Sequence, residues 1–429
     1  MRRAVEHFFY EYIALTRFGR NVAKICEMLL PTKLRDGSQI GEAPQISKPI
    51  VAMLTGDKGD RPSQTFIRLQ RDKINAKVNF YTGGIQATCI NESKLASVHN
   101  IARFANYWKE LKRDSLSNCE TLIAASFVSE NTDVVYAQFG NNGARILNVC
   151  KALELPLIVH FRGYDSSRKS MLRKYEKKYL ELFEYASLVI VVSHDMADRL
   201  VNLGCPREKI VYNPSAPNDV YYHIQPIFNK KLFVGAGRFV QKKAPQNTIR
   251  AFMKVLEKHP DAKLILAGGG KLFSYCKKMV KQNNLNNSVY LPGAFTPEQL
   301  TQWLSEATAF VQHSITAPNG DKEGTPNSIS EASLSGLPIV STFHAGIPDV
   351  IIDRKTGLLS NEGDIDAMAK NMIWILDNPQ EAQKMGSAGK ENIWRNFNLN
   401  KCIGILDEVI RKSVRTNTCS RKSKNKTKT

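Results

Sequence analysis

Glu323-Gly324-Thr325-Pro326-Asn327-Ser328-Ile329-Ser330-Glu331, followed by Ala332 and by Gly336-Leu337-Pro338-Ile339-Val340, reads as a loop that becomes a helix and then a buried strand. Thr325 is a suitable N-cap, and Pro326 suits the first helical position, where its missing N–H costs nothing. The amides of Asn327 and Ser328 then face out of the helix start, where the dipole is positive and an anion can bind. Glu323 stands just before that start, and Glu331 projects from the helix about two turns later. Gly336 ends the helix, and Leu337-Pro338-Ile339-Val340-Ser341-Thr342 reads as the next strand. Two carboxylates flanking an anion site suit a ligand with phosphate in the middle and hydroxyl-rich rings on either side. A nucleotide sugar is such a ligand, although these residues alone specify only a phosphorylated one.

Working outward, strands and helices alternate along the chain. Strands are expected at Pro49–Leu54, Val78–Tyr81, Asp133–Phe139, Leu157–Phe161, Leu188–Ser193 and Lys209–Tyr212. Helices are expected at Gln64–Ile74, Arg168–Tyr185 and His194–Leu203. The prolines of Asn213–Asn229 mark an interdomain connection. A second block has strands at Lys231–Ala236, Lys263–Ala267, Ser288–Leu291, Ala309–Gln312 and Pro338–Thr342, with helices at Pro245–Lys258 and Pro297–Ala307. This pattern predicts an α/β fold of two Rossmann-like domains facing across a cleft. Their expected extents are 49–225 and 226–411, with a helical end over Ile365–Arg411 that closes the second block. A basic, aromatic-rich extension (1–48) precedes them, readable as an interfacial membrane helix or as a helix packed on the body. A lysine-rich tail (412–429) is expected to be disordered.

Gly235-Ala236-Gly237-Arg238-Phe239-Val240-Gln241-Lys242-Lys243-Ala244-Pro245 sits where a strand ends and a helix begins. Arg238 and Lys243 can converge on a diphosphate, one as a fork and the other as a point charge. Taken alone, the stretch reads equally as a solvated basic loop. In the first half, His160, Arg162 and Asp165 end a strand on the side where parallel sheets bind ligands. They could position an acceptor hydroxyl, or be merely solvated. His194 falls in a helix's first turn and reads as structural. Asp364-Ile365-Asp366 reads as a helix cap, and no metal is assigned.

The 429 residues exceed what one core supports, and a hydrophobic share of 42% is that of a globular protein. No apolar run approaches the ~20 residues of a membrane span. Charged residues break up the N-terminal apolar stretches, so no signal-peptide core is expected. Eight scattered cysteines without a CxxC pair argue against a zinc site or disulfide framework and suit a reducing cytosol. The net charge of +20 admits nucleic acid, an anionic membrane surface or anionic substrates as partners. No compact nucleic-acid motif is present, which leaves the membrane surface and a phosphorylated substrate.

These residues resemble a known family. Glu323-Gly324-x-Pro326-x4-Glu331-Ala332-x3-Gly336-Leu337-Pro338 is similar to the Glu-x7-Glu signature of the retaining GT-B glycosyltransferases, the glycosyl transferases group 1. The likeness continues through Gly346-Ile347-Pro348-Asp349 and Gly357-Leu358-Leu359, and Gly237–Pro245 resembles the family's diphosphate loop. Pro62-Ser63-x-Thr65-Phe66-Ile67, Arg162-Gly163-Tyr164-Asp165 and Gly204–Ile210 resemble the subgroup that builds colanic acid and related exopolysaccharides. The resemblance covers roughly residues 49 to 412.

It implies a hexosyltransferase that keeps the anomeric configuration. Glu323, Arg238 and Lys243 would carry the chemistry. The donor would be bound by Gly237, Arg238, Lys243, Gly293, Glu323, Gly324, Thr325, Asn327, Ser328 and Glu331. Glu323 would meet hydroxyls of the sugar, Glu331 the ribose, and Leu291-Pro292-Gly293 the nucleobase. The resemblance implies a UDP- or GDP-sugar as co-substrate, no cofactor, no metal and a glycan or polyprenyl-diphosphate-linked acceptor. The place of action would be the cytoplasm, at the inner face of the plasma membrane. Departures fall in the first half. Arg162-Gly163-Tyr164-Asp165 replaces a frequent His-Gly-x-Asp, Tyr136-Ala137-Gln138-Phe139-Gly140 lacks the family's histidines, and Asn213-Pro214-Ser215 lacks the usual loop pattern. A non-catalytic sugar-nucleotide-binding scaffold and a sugar-nucleotide epimerase are the rival readings.

Overall fold

The computed structural model describes residues 48–56, 65–83, 89–91, 93–94 and 116–426. The N-terminal extension up to residue 47, the Pro62-Ser63 pair and the last three residues lie outside them.

Each strand marked by the alternation is present. The first set is β1 (Ile50–Leu54), β2 (Lys77–Thr82), β5 (Val134–Gln138), β6 (Leu157–His160), β7 (Leu188–Val191) and β8 (Ile210–Tyr212). Two short strands, β3 (Cys89–Ile90) and β4 (Ser93–Lys94), add an antiparallel edge that two residues apiece could not signal in advance. The sheet order is β4-β3-β2-β1-β5-β6-β7-β8, with β1 parallel to β2 and β5, and β7 parallel to β8.

The second sheet is wholly parallel, in the order β11-β10-β9-β12-β13-β14. Its strands are β9 (Leu232–Ala236), β10 (Lys263–Ala267), β11 (Val289–Gly293), β12 (Ala309–Val311), β13 (Ile339–Thr342) and β14 (Gly357–Ser360). The strand order reverses between β9 and β12, which makes the ends of these two strands the topological switch point where such sheets bind ligands.

Both faces of this sheet are covered, which is why its strands are apolar without a break. Phe233 packs with Phe252, Leu264 and Met368 on one face, while Val234 packs with Phe310, Ile329 and Ile339 on the other. The helices Pro245–Lys258 and Ile365–Asp377 supply the first layer, and Asn327–Leu334 belongs to the second.

The chain forms two compact units. One comprises the residues up to Val159, Tyr185–Ser187 and the chain from Val409. The other comprises His160–Glu184 and Leu188–Glu408. His160, Arg162 and Asp165 therefore share a unit with Arg238, Lys243 and Glu323.

The lysine-rich end departs from the sequence reading. Its residues continue a helix, Leu399–Lys426, where a disordered tail is expected. No glycine or proline follows Gly404, and lysine and arginine are good helix formers. Buried Cys402, Ile403, Leu406, Val409, Ile410 and Ser413 anchor the earlier turns. The terminal helical region itself resolves into Ile365–Asp377, Pro379–Asn396 and this last helix.

Candidate active site

The site is assembled at the carboxyl ends of the second sheet. The Gly237 N–H donates to the Ala267 carbonyl at 2.9 Å, and the Gly268 N–H to the Gly293 carbonyl at 2.6 Å. The expected diphosphate loop and nucleobase turn thus lie side by side beyond β9, β10 and β11. Gly268 has φ of +130°, and a Cβ there would fall 1.9 Å from the Gly237 oxygen, so only glycine lets the two loops approach this closely.

After β9 the chain makes a tight turn, Gln241–Lys243, that points two lysines inward. Lys243 Nζ lies 3.0 Å from Gln312 Oε1 and 3.4 Å from Glu323 Oε1. Gln312 follows β12 and donates its own amide to Ser314 Oγ at 2.8 Å, which keeps its oxygen turned to the lysine. Lys242 Nζ donates to the Lys322 carbonyl at 2.8 Å and to Asp321 Oδ1 at 3.2 Å, and stands 3.9 Å from Glu323 Oε2. Glu323 is 6% exposed, and its Oε1 makes no hydrogen bond among the described residues. Burial works to raise the Glu323 pKa, but Lys242, Lys243, His344 and Arg238 outweigh it and hold the carboxyl at about 2. Burial lowers the Lys243 pKa, opposed by Glu323. Arg238 is exposed, and its guanidinium makes no ion pair or hydrogen bond among the described residues. The charge of Lys242 is committed to Asp321 and that of Lys243 is shared with Glu323, so Arg238 is the uncommitted cation of the loop.

The start of the central helix differs from expectation. Thr325 does not cap it, because its hydroxyl donates to the Val192 carbonyl. Pro326 takes the cap position without a side-chain bond, and the helix runs Asn327–Leu334. The cause is a close approach: a Cβ on Gly324 would lie 2.6 Å from both the Arg162 carbonyl oxygen and Val192 Cγ2. This brings Thr325 onto a strand-end carbonyl and fixes the loop from outside the helix. Helix geometry still leaves the N–H groups of Asn327 and Ser328 without intrahelical acceptors. The Ser328 hydroxyl reaches Gln312 Oε1 at 3.4 Å, beside Lys243. Gly336, with φ of +91°, ends the helix as the sequence indicates.

Glu331 is partly buried, and its carboxyl has no hydrogen-bond partner among the described residues. Burial pushes its pKa up to about 7, against the pull of Lys243. An ionised carboxylate accepts hydroxyl hydrogen bonds more strongly than a neutral acid. If Glu331 holds a ribose, affinity for a nucleotide sugar is expected to rise about tenfold between pH 6 and 8, and Glu331→Gln to flatten that rise. The diphosphate ester of a nucleotide sugar does not titrate in this range, so calorimetry at both pH values isolates the carboxyl. The sign for stability is opposite. The folded state binds this proton more tightly than the unfolded state, so the contribution of Glu331 to stability falls as pH rises from about 4.5 through about 7.

The residues expected on the acceptor side have distinct environments. Asp165 is buried and accepts the N–H groups of Gly163 at 2.8 Å and Arg162 at 3.1 Å, so its carboxylate holds its own turn. Arg162 donates to Ser215 Oγ at 3.3 Å. His160, at the end of β6, is fully buried, and burial followed by the Arg162 charge holds its pKa well below the ordinary value. Tyr136 and Gln138, which stand at departures from the family pattern, are buried and both donate to Gln70 Oε1. The Asp364 side chain caps its helix through the Ala367 N–H at 2.8 Å, and Asp366 pairs with Lys254, which accounts for that acid pair. His194 opens its helix and stacks on Tyr212, as its structural reading implies.

Sequence reasoning did not single out Lys242, Gln312, Asp321, His344 or Glu362. The strand-end rule could have found three of them, since Gln312 directly follows β12, and His344 and Glu362 lie two residues after β13 and β14. The others lacked a local signal: Asp321 meets Lys242 across 79 residues, and Arg168 meets Asp321 across 153.

Two sheets of alternating strands and helices, with a glycine-rich loop, a buried glutamate and two lysines at the strand ends of the second, have the architecture of the GT-B fold. Residues 224–392 match the Glycosyl transferases group 1 family and residues 78–216 match Glycosyltransferase Family 4. Residues 224–392 therefore form a group 1 glycosyltransferase domain, and residues 78–216 a Family 4 one. It is 29% identical over 301 residues to the amylovoran biosynthesis glycosyltransferase AmsK of Erwinia amylovora, spanning 67% of this chain and 72% of that one. It is also 29% identical over 276 residues to the putative colanic acid biosynthesis glycosyltransferase WcaL of Escherichia coli (strain K12), spanning 62% and 67%. Among solved structures, Anabaena Alr3699/HepE in complex with UDP shares the fold at a TM-score of 0.67 and 16% identity, over 85% of this chain and 99% of that one. No helix among the described residues is long and apolar enough to cross a membrane.

Proposed function

We propose that the chain is a retaining hexosyltransferase that moves a hexose from a UDP- or GDP-sugar to a lipid-linked oligosaccharide during exopolysaccharide assembly. The observation that carries this reading is the Glu323 carboxylate. It is ionised and buried, its Oε1 makes no hydrogen bond among the described residues, and that oxygen lies 3.4 Å from the Lys243 ammonium beside a helix start. A sugar hydroxyl would complete that oxygen, while the diphosphate would lie between Arg238, Lys243 and the N–H groups of Asn327 and Ser328. In the reaction the bond from the anomeric carbon to the diphosphate oxygen breaks, and the acceptor oxygen bonds on the same face. The acceptor proton passes to the departing diphosphate. Negative charge grows on that diphosphate as the bond opens, and cations already in place stabilise it without reorganising.

The names of AmsK and WcaL, both tied to exopolysaccharide biosynthesis, support the acceptor class, and the UDP bound in HepE supports a nucleotide donor. The basic excess supports work at the cytoplasmic face of an anionic membrane. Neutralisation of the diphosphate falls to side chains in this reading, and no metal takes part.

A thermal-shift panel of UDP, GDP, ADP and their common sugar conjugates tests it. One base is expected to stabilise the protein, with its sugar conjugate giving turnover whose product keeps the anomeric configuration by NMR. A chelator is expected to leave that turnover unchanged. Binding without transfer or donor hydrolysis would instead identify a sugar-nucleotide-binding scaffold of the same fold.

A further inference from the structure

Glu323 is also held from behind. The Glu323 N–H donates to His344 Nε2 at 3.1 Å, and His344 Nδ1 lies 2.5 Å from Glu362 Oε1. The backbone N–H can only donate, so Nε2 is bare. The carboxylate accepts the proton that Nδ1 must then carry. One neutral tautomer satisfies both contacts, and the His344 ring is fully buried, whereas the Glu362 carboxylate reaches solvent.

The second oxygen of Glu362 accepts the Thr316 N–H at 2.7 Å, and the Thr316 hydroxyl reaches Oε1 at 3.3 Å. Thr316 and Glu323 stand near the two ends of the irregular connection between β12 and the central helix. One end is therefore fastened by Glu362 and the other by His344. Both fastening residues sit just beyond the neighbouring strands, β14 and β13. The relay refers the position of Glu323 to the rigid sheet, whereas its side-chain contacts refer it only to flexible lysines.

We propose that His344 and Glu362 form a positioning relay that sets the Glu323 carboxylate for the donor sugar. The relay rests on the reading that Glu323 touches that sugar. A loop glutamate displaced by about 1 Å from its working position costs roughly a hundredfold in rate. The nucleotide, held by Arg238, Lys243 and the helix start, does not depend on it.

The test is steady-state kinetics together with nucleoside diphosphate affinity for His344→Ala, His344→Gln, His344→Asn, Glu362→Gln and Glu323→Gln. His344→Ala is expected to lower kcat about a hundredfold while nucleoside diphosphate Kd stays within twofold. The amide oxygen of His344→Gln can occupy the place of Nε2, and this variant is expected to recover to within about fivefold of wild type. His344→Asn reaches only the place of Nδ1 and is expected to remain as impaired as His344→Ala. Glu362→Gln is expected to lower kcat about tenfold. Wild-type kcat in His344→Ala, loss of nucleotide affinity in step with kcat, or equal activity of the Gln and Asn variants would overturn the relay. Glu323→Gln separates the two ideas: if it retains full turnover, the donor-sugar role of Glu323 fails. If it is inactive while His344→Ala is not, only the relay fails.

Discussion

Lys243→Ala is expected to lower kcat/KM for transfer by about 10² to 10³, the usual effect of removing one preorganised partner of developing charge. The loss should appear in kcat as well as in donor affinity, because the diphosphate gains charge as its bond to the sugar opens. The fold should persist. Lys243 contacts only Gln312 and Glu323 through its ammonium, and Glu323 keeps Lys242 at 3.9 Å while Lys242 keeps Asp321. A circular dichroism melt within a few degrees of wild type, together with loss of product, is the expected pair of results. Turnover near wild type would remove Lys243 from the donor site.

Glu323 gives a larger and less simple effect. Glu323→Gln is expected to reduce kcat/KM by about 10³, since a site built to bond a hydroxyl loses most when its buried partner is altered. Glu323→Ala should be equally inactive and also less stable. It strips a buried carboxylate from two buried lysines, and breaking a buried pair costs about 3 kcal/mol or more. Asp321 still serves Lys242, which keeps the cost near the low end of that range. The melting temperature should therefore fall in both Glu323→Ala and Glu323→Gln, because the amide restores the volume but not the charge, with both variants inactive. If Glu323→Ala melts like wild type, the lysines are not held by this carboxylate as the geometry indicates.

Much of the donor side was legible because its signals are local. A glycine, a proline and a following apolar strand state within about 20 residues that a loop, a helix and a strand succeed one another, and the structure shows that succession. The misreading of Thr325 shows the limit. Its spacing is that of a helix cap, but a carbonyl 133 residues earlier in the chain competes for the same hydroxyl and takes it. Around Asp165 the sequence likewise did not show that the N–H groups of Gly163 and Arg162 bond its carboxylate. The positions of His344 and Glu362 beyond two strand ends were legible, but their pairing with each other and with Glu323 was not. The contacts of His344 span 21 and 18 residues with no periodic or compositional mark, and they exist only because three strand ends of one sheet lie side by side.

The bracing of the donor loop bears on how such enzymes can be recombined. The segment Pro318–Thr325 is tied to residues upstream of the second sheet at several points. Lys169 N–H bonds the Asn319 carbonyl, Arg168 pairs with Asp321, Lys322 bonds both Ser167 and Asp195, and Thr325 bonds Val192. All of these partners belong to the stretch that matches the other family model, residues 78–216. A chimera joined at the apparent seam between the two matches, meant to graft a new acceptor preference onto an old donor preference, would inherit mismatched struts beneath its catalytic loop. The unit of exchange that preserves the donor site therefore begins upstream of Ser167, well inside what sequence comparison assigns to the first half.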